Sequence, residues 1–292
     1  MTETALGKRV SADERHVLFR LHKVITAVLV LVGAMLLAPA GPASAQVIPG
    51  FEVFCFYSHT AQDDPIVNPG MPGAAMHLHD FAGNTATTAT STATQLRASK
   101  SNCQLTADTA AYWTPVLSSH GRTVHPDRLH AYYRAGNVSA IAKIRPVPAG
   151  LKMIAGNAKA TSPQPTTVVG WNCGVQGQTL YSHPISCKVG QKVVLHFFFP
   201  NCWDGVHLDS ADHKSHLAYS HNGACPASHP VAIPRVTEDY GYPILDGTQI
   251  TLSSGSYLTA HADFWNTWNQ AAMDRLTRDC INAGVQCGPQ RS

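Results

Sequence analysis

Residues 201–229 crowd ionisable side chains into one stretch. His207, His213, His216, His221 and His229 stand among Asp204, Asp209 and Asp212 in a segment that also holds Cys202 and Cys225. A buried ionisable group without a partner costs free energy, so an ordinary core segment does not carry this many. A solvated loop would favour Lys, Glu and Ser over His and Trp. The composition reads as the floor of a polar site. Two smaller knots repeat the chemistry: His77-Leu-His-Asp-Phe81, and His261-Ala-Asp-Phe264. If the first is a strand, His77 and His79 share one face, because side chains alternate with period two.

Residues of these types can do three things. Cleaving a glycosidic bond takes two acid/base groups about 5 Å or about 6.5–9.5 Å apart. Only Glu52 and Glu238 are glutamates beyond position 45, so the work falls to aspartate. Asp80, Asp209, Asp212 and Asp263, with His213, are the candidate catalytic residues. His79, Asp204 and His207 are candidate substrate contacts, and Trp203, Trp113 and Trp265 are candidate platforms for a sugar ring. A lyase would use His or Tyr as base, with a cation neutralising the uronate. The second option is a zinc or copper ion on His77, His216 and His261. The third is a non-catalytic protein that binds wall carbohydrate. Isolated histidines such as His130 and His196 read as structural, whereas three separated knots of similar composition point to a site. The reading favours an exported enzyme, a glycoside hydrolase or polysaccharide lyase acting on cell-wall or extracellular glycan.

Several classes are excluded. There is no nucleotide-binding glycine motif, no Gly-x-Ser-x-Gly and no His-Glu-x-x-His. The formal charge of +3 comes mostly from the first 45 residues, where Lys8, Arg9, Arg15, Arg20 and Lys23 lie. Nothing in the remainder suggests nucleic acid or an anionic membrane surface as partner.

The elements that must position these groups follow from pattern. Residues 1–45 read as a signal peptide: the basic run, the apolar stretch Val24–Ala38, and Ala43-Ser44-Ala45 as cleavage motif. Residues 46–292 then form a single secreted domain, with no membrane association after cleavage. All 8 cysteines fall in it, and an even count in an exported chain reads as disulfides. Pairing of chain neighbours gives Cys55–Cys103, Cys173–Cys187, Cys202–Cys225 and Cys280–Cys287. Phe51–Tyr57 and Val193–Phe199 are strand-like, the latter apolar enough to sit centrally in a sheet. Residues 85–94, rich in Thr, Ala and Ser, read as a linker or surface loop, with Leu96 as an apolar anchor if a helix follows. Trp265, Trp268, Ala272 and Leu276 recur at helical spacing, with Asp263 as expected cap and Gly284 as stop. The expectation is a mainly β domain of sandwich or jelly-roll type, with long polar loops, one C-terminal helix and disulfide bridges.

Taken together, His77-Leu-His-Asp-Phe81, Cys202-Trp-Asp-Gly205, Leu208-Asp-Ser210, Asp212-His-Lys-Ser-His216, Cys225-Pro226, His229-Pro230 and His261-Ala-Asp-Phe264 resemble one secreted family of unknown function. It occurs in actinobacteria and filamentous fungi, where some members carry WSC carbohydrate-binding modules. The resemblance runs from about Asp64 to Asn282 and implies a polysaccharide or cell-wall context, without implying a mechanism.

Overall fold

The computed structural model describes residues 48–292; the expected signal peptide, residues 1–45, lies outside them. Two large sheets carry the fold. The first has six strands in the order Gln286–Pro289, Gly50–Cys55, Arg128–Arg134, Arg235–Tyr242, Val193–Phe198 and Val169–Asn172. The second has five: Tyr57–Ala61, His79–Gly83, Ala111–Pro115, His261–Trp265 and Lys152–Gly156, each antiparallel to its neighbours. Two short sheets complete the β structure. One includes Cys202–Trp203 between Leu217–Ala218 and Val231–Ala232, at the base of the 201–229 stretch.

The two large sheets pack face to face. Phe51, Val53, Leu129, Tyr133, Leu195 and Phe197 of the first share one core cluster with Tyr112, Met153, Ala155, Ala262 and Phe264 of the second. The rings of Tyr133 and Phe264 meet at 6.3 Å, and Phe51 stacks on Tyr133 at 4.8 Å. Val193–Phe198 has a strand on each side, as its apolar run implies.

The five-stranded sheet is covered on its other face too. A second cluster of Ile66, Phe81, Leu96, Ala111, Trp113 and Trp265 lies there. Leu96 comes from a short helix, Ala93–Ala98, whose Thr92 and Gln95 form a capping box. Ile66 comes from the loop over residues 62–78. His79–Gly83, Ala111–Pro115 and His261–Trp265 are therefore buried along their whole length.

Two local expectations are corrected. The late helix spans Gln270–Leu276, capped by Asn269, whose side chain accepts from Ala272 N; a wider turn over Thr277–Asn282 extends it to Gly284. Asp263 caps nothing. It pairs with Trp113 and Ile154 inside the sheet, because His261, Asp263 and Trp265 alternate with buried Ala262 and Phe264 in a period of two. The second correction concerns His77, which precedes the strand that begins at His79.

All four disulfides join chain neighbours: Cys55–Cys103, Cys173–Cys187, Cys202–Cys225 and Cys280–Cys287, with no free cysteine. Such a set suits an oxidising, extracellular environment. No helix among the described residues is long and apolar enough to cross a membrane.

A candidate metal centre on the five-stranded sheet

Strand alternation separates His79 and Asp80. His79 and Phe81 face the second cluster, and Asp80 faces the opposite side. Asp80 is buried there and accepts from Thr60 Oγ1 at 2.6 Å and His125 Nδ1 at 2.9 Å. Burial raises its pKa. On the His79 side, His261 arrives from two strands away, and the two rings lie 5.9 Å apart. His77, in the loop before the strand, closes the group at 4.4 Å from His79 and 5.0 Å from His261 between ring centroids.

Hydrogen bonds fix which nitrogens are free. His79 Nδ1–H donates to the Asp63 carbonyl at 2.9 Å, and His261 Nδ1–H donates to the Thr259 carbonyl at 2.9 Å. The Nε2 lone pairs of both rings are left facing the cluster. His79 Nε2 is buried with no partner, and His261 Nε2 lies 3.1 Å from His77 Nε2. Burial holds all three imidazoles neutral: it lowers His77, lowers His79 well below its usual value with help from His261 and His77, and brings His261 down to about 3. One nitrogen from each ring lies within 4.8 Å of the others. Tetrahedral zinc with 2.0–2.1 Å bonds places its nitrogens about 3.3 Å apart, so small side-chain adjustments close the set. Orientation of metal-bound imidazoles through the far N–H to a backbone carbonyl is the arrangement such centres use.

The ground beneath the rings is also polar. Both carboxyl oxygens of Asp263 are buried without a hydrogen bond, and so is the indole N–H of Trp113, its neighbour in register. Burial, then Asp64 and Glu238, hold the Asp263 carboxyl well above the usual range, while Lys214 pulls it down. Lys214 Nζ donates to the Gly156 carbonyl at 2.5 Å, and Gly156 pairs with His261. Lys214 is an exposed residue overall, but desolvation of its ammonium lowers its pKa, opposed by Asp263 and Asp212. Beside it opens a cleft of about 480 Å³ lined by Ile154, Gly156, Gln164, His213 and Lys214, among others.

Asp209 and His213 form a second group. His213 Nδ1 binds Asp209 Oδ1 at 2.9 Å, and Lys152 Nζ lies 3.4 Å from Asp209 Oδ2. Asp64 connects the two groups electrostatically: burial raises its pKa, the N–H groups of Val67 and Ile66 and then His213 and Lys152 oppose that rise, and its charge raises Asp263.

Other expected site residues are occupied elsewhere. His216 is buried with Nε2 on the Lys152 carbonyl at 2.8 Å and Nδ1 on Ser210 Oγ at 2.9 Å, so it has no nitrogen to spare for an ion. Its expected place beside His77 and His261 is taken by His79. Asp212 holds a turn, accepting from Ser210 Oγ and from Lys214 N and Ser215 N. Asp204 does the same for Val206 N and His207 N, and binds His207 Nδ1 at 2.7 Å. Trp113 and Trp265 are 0% and 6% exposed, which withdraws both as sugar platforms. Trp203 is half-buried against the core and donates to the His207 carbonyl at 2.6 Å.

Residues 64–268 match the model of a family described as a domain of unknown function, DUF1996. The chain belongs to this family. No curated protein and no solved structure matches it. The family region takes in His77, His79, His261, Asp263 and the whole 201–229 stretch, so every group of the centre is family sequence. Asp63, which lies just ahead of it, supplies the carbonyl that orients His79. Sequence reasoning passed over Asp63, Lys152 and Lys214. Asp63 and Asp64 carry turn chemistry, and the two lysines have no signal apart from the fold that brings them in.

Proposed function

We propose that the protein is an exported, metal-dependent enzyme that cleaves extracellular or cell-wall polysaccharide. His77, His79 and His261 hold one zinc or copper ion with a coordination position open to substrate. The observation that carries this reading is the convergence of three neutral imidazoles, two of them locked by backbone carbonyls with Nε2 turned inward. Three protein ligands and an open position are the habit of catalytic centres, whereas structural ones close the fourth position with protein.

Elimination fits the surroundings better than hydrolysis by two carboxylates. Asp204 and Asp212 cap turns, Asp80 faces the other side of its sheet, and Asp263 is buried. Each of these four is held in a turn or inside the protein, and Asp209 is held by His213 and Lys152, which does not favour the two free carboxylates a hydrolase sets across one bond. In the elimination, a base takes the proton beside the uronate carboxylate. The electron pair becomes a carbon–carbon double bond, and the glycosidic oxygen leaves with a proton. Lys214 and His213, on the wall of the cleft, are the candidate base and proton donor. An ion held by His77, His79 and His261 would supply the positive charge that neutralises the carboxylate.

The test has two parts. Protein purified without an affinity tag is assayed for metal. It is then incubated with a panel of acidic and neutral polysaccharides, scored for unsaturated products and new reducing ends. Unsaturated products that vanish on chelation and return with zinc or copper support the reading. Full activity in metal-free protein removes the ion from it. Reducing ends without unsaturation turn it to hydrolysis.

A further inference from the structure

The outward face of the six-stranded sheet is unlike an ordinary solvated face. Its inward side chains, such as Val53, Tyr133, Leu195 and Phe197, are fully buried. On the outward side, register aligns Phe54 with His130, His130 with Asp239, and Asp239 with His196 in one row. Glu52, Tyr132, Thr237 and Phe198 make the next row, and Arg134 lies opposite Arg235 beyond it. Neighbouring rings touch: Phe54 and His130 at 4.0 Å, His130 and Tyr132 at 3.8 Å.

Three guanidiniums lie on this aromatic floor. Arg128 sits 4.7 Å over Phe54, Arg134 4.1 Å over Tyr132, and Arg235 5.7 Å over Phe198. Stacking fixes each planar fork while leaving its N–H donors at the edge. The carboxylates of the face lie against imidazoles, Glu52 Oε2 2.9 Å from His130 Nε2 and Asp239 Oδ1 2.7 Å from His196 Nδ1. Only Glu52 comes near a guanidinium, at 3.9 Å from Arg134; among the described residues no carboxylate lies within 4.0 Å of Arg128 or Arg235. Arg235 is partly buried next to Arg134, and the desolvation lowers its pKa. A cation in that position gains from an anion supplied from outside.

We infer that this face binds an acidic polysaccharide, whose carboxylate or sulfate groups seat on the guanidiniums of Arg128, Arg134 and Arg235. Arg128 and Arg134 stand at the two ends of one strand, about 20 Å apart at 3.3 Å per residue, which suits an extended chain rather than a single anion. The arginines cover the ring faces, so the rings are not free to stack on nucleic-acid bases. The face lies on a different sheet from the imidazole cluster, and this inference does not depend on a metal there.

Affinity electrophoresis of the native protein in gels containing polygalacturonate or alginate tests it, with starch as the neutral control and EDTA throughout. The expected result is retardation by the acidic polymers alone, weakening as salt rises from 50 to 300 mM. Replacing Arg128, Arg134 and Arg235 together by Gln is expected to weaken that binding at least tenfold, with the melting temperature and circular dichroism retained. Arg128→Gln alone, at the most exposed of the three positions, gives a partial loss and guards against misfolding of the triple variant. Absence of retardation, equal retardation by starch, or unchanged binding in both variants overturns the inference. So does equal binding to DNA or to anionic phosphatidylserine vesicles.

Discussion

The Nε2 atoms of His77 and His261 lie 3.1 Å apart across 184 residues of chain. His261 carries its hydrogen on Nδ1, bonded to the Thr259 carbonyl, so its Nε2 offers a lone pair to that contact. Either His77 donates its own N–H there, or a cation lies between them. His79, with a buried and unpartnered Nε2 beside the same two rings, favours the cation.

One equivalent of zinc or copper per chain is therefore expected by elemental analysis of tag-free protein. His79→Ala and His261→Ala are expected to reduce it to background. Zinc at a hundred times its Kd is expected to stabilise the native protein by about 2.7 kcal/mol, and neither variant. Equal stabilisation of native and variant protein would place the bound zinc elsewhere.

Asp63 acts on the same centre at one remove. Its carboxylate accepts from Gly73 N at 2.8 Å and Ala89 N at 3.0 Å, while its carbonyl orients His79. Asp63→Ala loosens the loop that brings in His77. Metal affinity is expected to fall about tenfold, the low end of what supporting groups contribute, with stoichiometry unchanged. Calorimetric titration separates this from loss of a ligand, which would abolish binding.

Asp108 makes stability depend on pH. It is fully buried, accepts from Tyr112 Oη at 2.7 Å and Ala110 N at 3.0 Å, and burial pushes its carboxyl up to about 7. The folded chain thus keeps a proton that the unfolded chain releases near pH 4. The associated stability is complete below that pH and is lost as pH rises through 7. Asn at this position cannot ionise. Asp108→Asn is expected to gain about 3 kcal/mol on the native protein between pH 5 and pH 8. Urea midpoints at the two pH values measure it, and parallel curves would show that Asp108 does not titrate in this range.

The Cys202–Cys225 bridge closes the loop that presents His213 and Lys214. Replacing both cysteines by Ser is expected to cost about 3 kcal/mol, read as a lower urea midpoint with an equal or steeper slope, because the opened unfolded chain exposes more surface. A midpoint equal to that of the native protein would mean that the short sheet around Cys202–Trp203 holds the loop unaided.

Much of the architecture was legible because it depends on short-range pattern. Chain-neighbour pairing of eight cysteines, the apolar strand at Val193–Phe198, the anchor at Leu96 and the β-rich class are all local facts, and each stands in the structure. The sequence also located the imidazoles and carboxylates in three knots. It could not divide them into partners. His79 and Asp80 are adjacent, yet strand alternation sends them to opposite faces of one sheet. His216 looks as much like a ligand as His79, but its two nitrogens are taken by Ser210 and Lys152. Trp113 and Trp265 look like platforms until a loop and a short helix bury them. Membership of a site is decided by strand order and by what covers each face. Both come from contacts between residues far apart in the chain, which local spacing does not encode.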